Sequence, residues 1–175
     1  MENLKQLSSW PASAKILVTG FLVSLLIGYA VAFLMIHNRT QFGMDQTIRY
    51  YRGDDVAQPG AHMDEMSIHL PKPYSEILAV SHVHMFSQPL LVLAVGVLFF
   101  FCSVGEGTKT LAYLASMLGL LLSNLAPWLL RYGGEEFVFI YPFSNFLMMG
   151  GLVLMTCRIL YELWGHDNCS AHPGP

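Results

Sequence analysis

Apolar residues along this chain are concentrated in four long blocks rather than spaced in the short periods of an amphipathic soluble protein. Each block is at least as long as the roughly 20 residues that an α-helix needs to cross ~30 Å of hydrocarbon. The pattern predicts an all-α fold, an integral membrane four-helix bundle in which residues 1–175 form a single membrane domain. The predicted spans are about 15–37, 74–103, 110–131 and 137–162.

Polar breaks separate these blocks. The breaks around Gly105 and Gly133 are short, so the helices on either side of each are expected to be antiparallel neighbours. Residues 38–73 are polar and too numerous for a simple connector, and they predict one external loop. The first block exceeds the apolar part of a signal peptide and precedes no small-residue cleavage site, so it is expected to be a retained helix.

Composition agrees with a membrane location in the lipid bilayer. Charged residues make up 12% of the chain, against about 25% in an ordinary soluble domain. The net charge is −3 and the sequence has no basic patch, so we expect no nucleic-acid partner.

Charge does not decide the orientation of the spans, because Lys and Arg divide four to five between the two faces. The cysteines favour one choice. Cys102, Cys157 and Cys169 all fall on or near the face that carries both termini, and thiols persist in a reducing compartment. We therefore expect a multi-pass protein of the bacterial inner (cytoplasmic) membrane with both termini cytoplasmic and the long loop outside.

Small residues recur at helical spacing in three of the spans. Such stripes allow helices to approach closely in lipid, so they are interpreted as packing seams rather than sites. The stripes are Gly20, Ser24, Gly28 and Ala32 in the first span, Ala112, Ser116, Gly119, Ser123 and Ala126 in the third, and Gly150 and Gly151 in the fourth.

The second span contains an unusually polar stretch, residues 81–89, with His82 and His84 two positions apart. Two residues at this spacing project about 200° apart on a helix, so the histidines are expected to serve different faces. Helical spacing places Ser81, His84 and Gln88 on one side; the other carries Leu78, His82, Met85, Phe86 and Pro89. Pro89 cannot donate a backbone hydrogen bond, and a kink is expected nearby.

Polar side chains of all four spans occur at one level, near the expected outer surface. Ionisable groups within a span are costly and usually functional, so this convergence predicts a pocket. An alternative is that the histidines simply hydrogen-bond Asn124, Asn145 or the carbonyl oxygen that the kink frees. The candidate cofactor-binding residues are His37, His82, His84, Met85, Gln88, Asn124, Arg131 and Asn145.

Neutral imidazole ligates metals and haem, so haem b or a quinol is the expected occupant. The His-x-His of the second span resembles the pair in haem-copper oxidases, where neighbouring histidines ligate haems on opposite faces. The match covers three residues, and the other ligand histidines and the twelve spans of that family are absent. A bis-histidine haem in one chain would need His37, with Met85 as a softer ligand and Arg131 beside a propionate.

Copper is an alternative cofactor, because the loop contains His62, Met63, Met66 and His69, and imidazole and thioether both bind copper. The tail residues His166, Asp167, Cys169 and His172 are of ligand type but lie at the chain end, where fraying is expected. The candidate metal ligands are therefore His62, His69, His82 and His84.

The chain is similar to small four-span membrane proteins that accompany bacterial c-type cytochromes. The resemblance implies a subunit of a respiratory electron-transfer complex that passes electrons to a periplasmic c-type cytochrome, together with other membrane subunits or a second copy. A cofactor-free assembly subunit and a copper-handling protein are the alternatives. An independent enzyme is not expected, because the spans contain no paired carboxylates and no nucleophile–base motif.

Overall fold

A computed structural model describes residues 7–53 and 70–165, which form five α-helices. They are α1 (Ala12–Thr40), α2 (Met44–Arg52), α3 (Tyr74–Phe100), α4 (Glu106–Trp128) and α5 (Ile140–Trp164). Four helical segments are long and apolar enough to cross a membrane, namely Ala12–Thr40, Tyr74–Phe100, Glu106–Gly133 and Glu135–Trp164. The predicted all-α integral membrane bundle is confirmed.

The short helix α2 lies within the segment that the sequence predicts as a loop. Gln41 and Phe42 have φ angles of 48° and 56°, which end α1 and reverse the chain into α2. The new helix packs against α1 and against the π-helical turn Leu129–Gly133 that continues α4. We call this end of the bundle the α2 end.

Helices α4 and α5 form the most extensive helix pair, and small residues set their closest approach. A Cβ atom added to Gly119 of α4 would lie 2.8 Å from the Ser144 carbonyl oxygen of α5. One added to Gly151 would lie 3.3 Å from the Ala112 carbonyl oxygen. The predicted seam is therefore confirmed for these two spans, although Gly150 has nothing within 4 Å of its added Cβ.

Helix α1 is held differently, because Gly20 and Gly28 of its small-residue stripe make no close contact with another helix of the described chain. A Cβ added to Gly20 or Gly28 would meet nothing within 4 Å. Instead, α1 is fixed at the end opposite to α2, where Trp164 Nε1 donates a hydrogen bond of 2.9 Å to Thr19 Oγ1. The small side of α1 faces open space because its main contacts are with α5 and α2 rather than with α3.

Polar contacts tie the α3–α4 connection to α5 at the end opposite to α2. Ser103 N donates to Glu162 Oε2 at 2.7 Å, and the buried Lys109 ammonium donates to the Phe100 carbonyl oxygen at 3.0 Å. Burial raises the pKa of the neighbouring Cys102 thiol to about 12, and the Glu162 carboxylate adds to this effect. The thiol is therefore protonated at neutral pH.

Candidate functional site

A cavity of about 500 Å³ lies between α1, α3, α4 and α5, and α2 contributes to one end of it. Its size falls within the roughly 300–1,000 Å³ range typical of small-molecule sites. All five helices contribute to the wall. Polar residues of α3, α4 and α5 meet there, where the sequence predicts their convergence.

Three polar side chains form a connected chain on the cavity wall. Asn124 Nδ2 of α4 donates to Gln88 Oε1 of α3 at 2.7 Å and also to the Leu120 carbonyl oxygen at 2.9 Å. This bond leaves the Gln88 amide nitrogen for His84, whose Nδ1 lies 3.3 Å away. The spacing of four residues places His84 and Gln88 one above the other on α3.

The contact with Gln88 determines what the His84 ring can offer. When Gln88 Nε2 donates to Nδ1, the neutral imidazole carries its proton on Nε2. That N–H can donate to an oxygen atom of a ligand in the cavity. Asn124 therefore orients Gln88, and Gln88 orients the imidazole.

The other histidine of the second span points away from the cavity. The His82 ring contacts the Phe86 ring at a centroid distance of 5.0 Å, and both side chains are exposed beside Met85. The prediction that His82 and His84 serve different faces is confirmed, as is the grouping of Ser81, His84 and Gln88.

Two further candidate cofactor-binding residues, His37 and Arg131, make local structural contacts instead. The His37 ring lies 5.0 Å from the Phe42 ring, because the left-handed turn after α1 brings Phe42 back against it. Arg131 Nε donates to the Lys72 carbonyl oxygen at 3.1 Å and links the start of α3 to the π-helical turn. Neither side chain lines the cavity.

On α5, Asn145 lines the cavity and donates from Nδ2 to the Tyr141 carbonyl oxygen of its own helix at 2.7 Å. Half of the eight candidate cofactor-binding residues therefore surround the cavity. Those on the wall are His84, Gln88, Asn124 and Asn145, and those elsewhere are His37, His82, Met85 and Arg131.

Tyr29 and Tyr51 are cavity residues that the sequence analysis did not place there. Tyr29 of α1 lines the wall, and its buried hydroxyl has no hydrogen-bond partner among the described residues. Tyr51 of α2 packs against Tyr141, with ring centroids 5.7 Å apart, and burial raises its pKa above the usual range. Tyr29 is the only tyrosine in the first apolar block. A phenol hydroxyl within that block is the sequence feature that could have indicated a polar wall on α1.

Residues 7–53 and 70–165 contain no group of three or more His, Cys, Asp or Glu side chains that could hold a metal ion. The candidate copper ligands His62, Met63, Met66 and His69 lie outside the described residues, as do His166, Asp167, Cys169 and His172. Within the described part, the two remaining candidate metal ligands, His82 and His84, point to different sides of α3.

Comparison with known proteins gives one match. A family model described as a transmembrane helical domain matches residues 41–169, about three quarters of the chain. The match begins directly after α1 and includes α2 to α5. No curated protein and no solved structure matches the chain.

Proposed function

The chain belongs to this family of transmembrane helical domains, and on that premise we propose that it is a small membrane subunit that binds a quinol in the cavity beside His84. The observation that carries the proposal is the hydrogen-bonded chain from Asn124 through Gln88 to His84 on the cavity wall. These three side chains present one oriented imidazole to a cavity that is large enough for a substituted ring.

The polar groups of this wall suit a neutral head group. A quinone carbonyl oxygen and a quinol hydroxyl oxygen can both accept a hydrogen bond from the imidazole Nε2–H. Amide and imidazole groups supply these bonds without requiring a charge in the membrane, where an unpaired charge is costly.

The position of the cavity suits a ligand that is dissolved in the bilayer. Helix α1 packs mainly against α5 and α2, which leaves its side towards α3 open. His84 is exposed on that side although it lies within a predicted span. A quinol can therefore enter laterally between α1 and α3 while its apolar tail remains in lipid.

Haem b is the other expected occupant, and the described residues fit it less well. His84 is the only histidine of the described chain that lines the cavity, because His82 and His37 contact Phe86 and Phe42 instead. A haem with two histidine ligands would require an imidazole from another chain or from outside the described residues. The single oriented imidazole favours quinol.

The wider role follows from this site as part of the same proposal. The protein would act in a bacterial respiratory complex of the inner membrane, with both termini cytoplasmic and the α2 end facing the periplasm. Quinol oxidation releases two protons, which would leave to the periplasmic side, and two electrons, which two molecules of a c-type cytochrome would accept at the α2 end, one electron each. The cavity lies next to that end, which shortens the path of the protons and the path of the electrons.

Quinone titration of the protein in lipid nanodiscs tests the proposal. Quinones quench tryptophan fluorescence, and Trp128 Nε1 donates to Ser81 Oγ at 2.8 Å beside the cavity. We expect saturable quenching, with the Kd raised about tenfold by His84→Ala, as for the loss of one hydrogen bond of ~1.4 kcal/mol.

His82→Ala is the matched control, since it removes the same side chain from the other side of the same helix. We expect this variant to bind within about twofold of the wild type. Equal effects of the two substitutions, or quenching that does not saturate, would contradict quinol binding. Such results would favour the cofactor-free assembly subunit.

A further inference from the structure

The end of α1 nearest α2 carries a cation that lines the cavity. Arg39 is exposed and lies directly before Thr40, the last residue of the helix. Its Cζ atom lies 5.7 Å from the centroid of the Tyr50 ring of α2. Within residues 7–53 and 70–165, no carboxylate forms an ion pair with this guanidinium. Arg39 is therefore open to an anion from outside the described chain.

A second cation reaches the same tyrosine from the start of α3. Lys72 Nζ lies 4.5 Å from the Tyr50 ring centroid. The Lys72 ammonium also pairs with the Glu76 carboxylate, so Arg39 supplies most of the uncompensated positive charge. Because Arg39 lies at the end of α1 and Lys72 precedes α3, the two cations flank the opening between these helices.

The length of α1 places Arg39 at the level of lipid head groups. At about 1.5 Å per residue, the 29 residues of this helix extend over about 43 Å, well beyond the ~30 Å hydrocarbon core of a bilayer. The guanidinium therefore lies where lipid phosphates lie, and its charge need not be buried in hydrocarbon.

An apolar track leads from Arg39 towards the middle of the membrane. Met35, Ala32 and Gly28 precede Arg39 at steps of four, three and four residues, so they share its side of α1, and all three line the cavity. Met35 and Ala32 are exposed, and a Cβ added to Gly28 would meet nothing within 4 Å. A cation at head-group level above an open apolar track has the polarity pattern of a phospholipid, with one anionic end and one apolar end.

We propose that the opening between α1 and α3 binds an anionic phospholipid, with its phosphate on Arg39 and one acyl chain along the track from Met35 to Gly28. The planar guanidinium presents paired N–H donors that match two phosphate oxygens. A free phosphate would use Arg39 but leave the apolar track empty. This inference does not rest on quinol binding. The acyl chain and a quinol would exclude one another beside Gly28, so lipid binding is measured without quinone.

Native mass spectrometry in a non-ionic detergent can measure the Kd of the first bound lipid. The probes are dioleoyl-phosphatidylglycerol and dioleoylglycerol, which share their acyl chains and differ in the phosphate-containing head group. We expect Arg39→Gln to raise the Kd of phosphatidylglycerol about tenfold and that of dioleoylglycerol less than about twofold. Unchanged dioleoylglycerol binding also shows that the variant is folded. Arg39→Lys retains the charge and is expected to keep most of the affinity.

Lys15→Gln is the matched control. Lys15 is a cation near the other end of α1, also against an aromatic ring, with its Nζ 5.7 Å from the Trp164 ring centroid, but it does not line the cavity. It is expected to leave the Kd of phosphatidylglycerol within about twofold of the wild type. Equal weakening by Lys15→Gln and Arg39→Gln would overturn the inference, because any surface cation would then suffice.

Two further outcomes would also overturn it. One is an unchanged phosphatidylglycerol Kd in Arg39→Gln, which would remove the phosphate from this residue. The other is displacement of phosphatidylglycerol by an equal concentration of glycerol 3-phosphate, which carries the phosphate without acyl chains and would show that the ligand is a free phosphate. Quinol binding beside His84 is unaffected by either result, because neither measurement involves a quinone.

Discussion

Asn124 of α4 donates a hydrogen bond of 2.7 Å to Gln88 of α3, and this bond crosses between two helices at the cavity. In lipid the two helices gain little from apolar burial against each other, so such bonds help to fix their relative position. The same bond leaves the Gln88 amide nitrogen for His84. One amide therefore serves both the packing of the bundle and the orientation of the candidate ligand-binding group.

Replacing Asn124 by Leu is expected to destabilise the protein. The substitution removes the donor to Gln88 and leaves a partly buried amide oxygen without its partner, a loss of about 1 kcal/mol. We expect a lower unfolding midpoint in a fixed detergent. Asn145→Leu is the control, because within the described part of the chain the Asn145 side chain bonds only to its own helix. A larger loss for Asn145→Leu would contradict the role of the interhelical bond.

The α4–α5 seam should tolerate no added methyl group at Gly119. An alanine Cβ would lie 2.8 Å from the Ser144 carbonyl oxygen, and the helix backbone cannot move aside cheaply. Gly119→Ala is expected to cost about 1–3 kcal/mol, as overpacking in a close-packed interior does. Denaturant unfolding in mixed micelles measures the loss.

Gly150→Ala provides the comparison for that substitution, because its added Cβ meets nothing within 4 Å on the same helix pair. Alanine is preferred over glycine in a helix by about 0.5–1 kcal/mol, so this variant is expected to be neutral or more stable. Destabilisation of both variants to the same extent would show that the seam does not depend on close approach at Gly119.

The spans and the faces of α3 were predictable from sequence for physical reasons. A bilayer requires long apolar helices, and the helical repeat alone separates His84 and Gln88 from His82. Which of the small-residue stripes pack against another helix was not predictable from the sequence. Gly28 and Gly119 lie in similar patterns, but one faces a cavity and the other a helix, because a missing Cβ permits close approach without requiring it.

The side-chain positions of residues near the span ends could not be predicted from the sequence either. His37 and Arg131 lie near the ends of two candidate spans, but the local backbone directs their side chains away from the cavity. Two left-handed residues after α1 bring Phe42 against His37, and the π-helical turn Leu129–Gly133 departs from the α-helical repeat around Arg131. Helical periodicity cannot place a side chain where the helix itself ends or changes.

Cys102 is expected to resist alkylation across the neutral pH range. Burial and the Glu162 carboxylate raise the pKa of its thiol to about 12. Because only the thiolate reacts, modification by iodoacetamide should increase with pH up to about 12 and remain minor at pH 8. Site-resolved mass spectrometry compares Cys102 in the intact protein, where the residue is buried, with the same cysteine in detergent-denatured protein as the reference. Rapid labelling of Cys102 at pH 8 in the intact protein would contradict the buried site.

Gly28→Leu should close the cavity without disturbing the bundle. Gly28 lines the cavity, and an added Cβ would meet nothing within 4 Å, so a leucine side chain can enter the space that we assign to the quinol ring. We expect the Kd for quinone to rise at least about tenfold while the unfolding midpoint stays within a few degrees of the wild type. Gly20→Leu adds the same side chain to the same helix one heptad and one residue earlier, where space is equally open but the cavity is absent, and it should leave binding unchanged. Normal quinone affinity in Gly28→Leu would place the ligand outside this cavity.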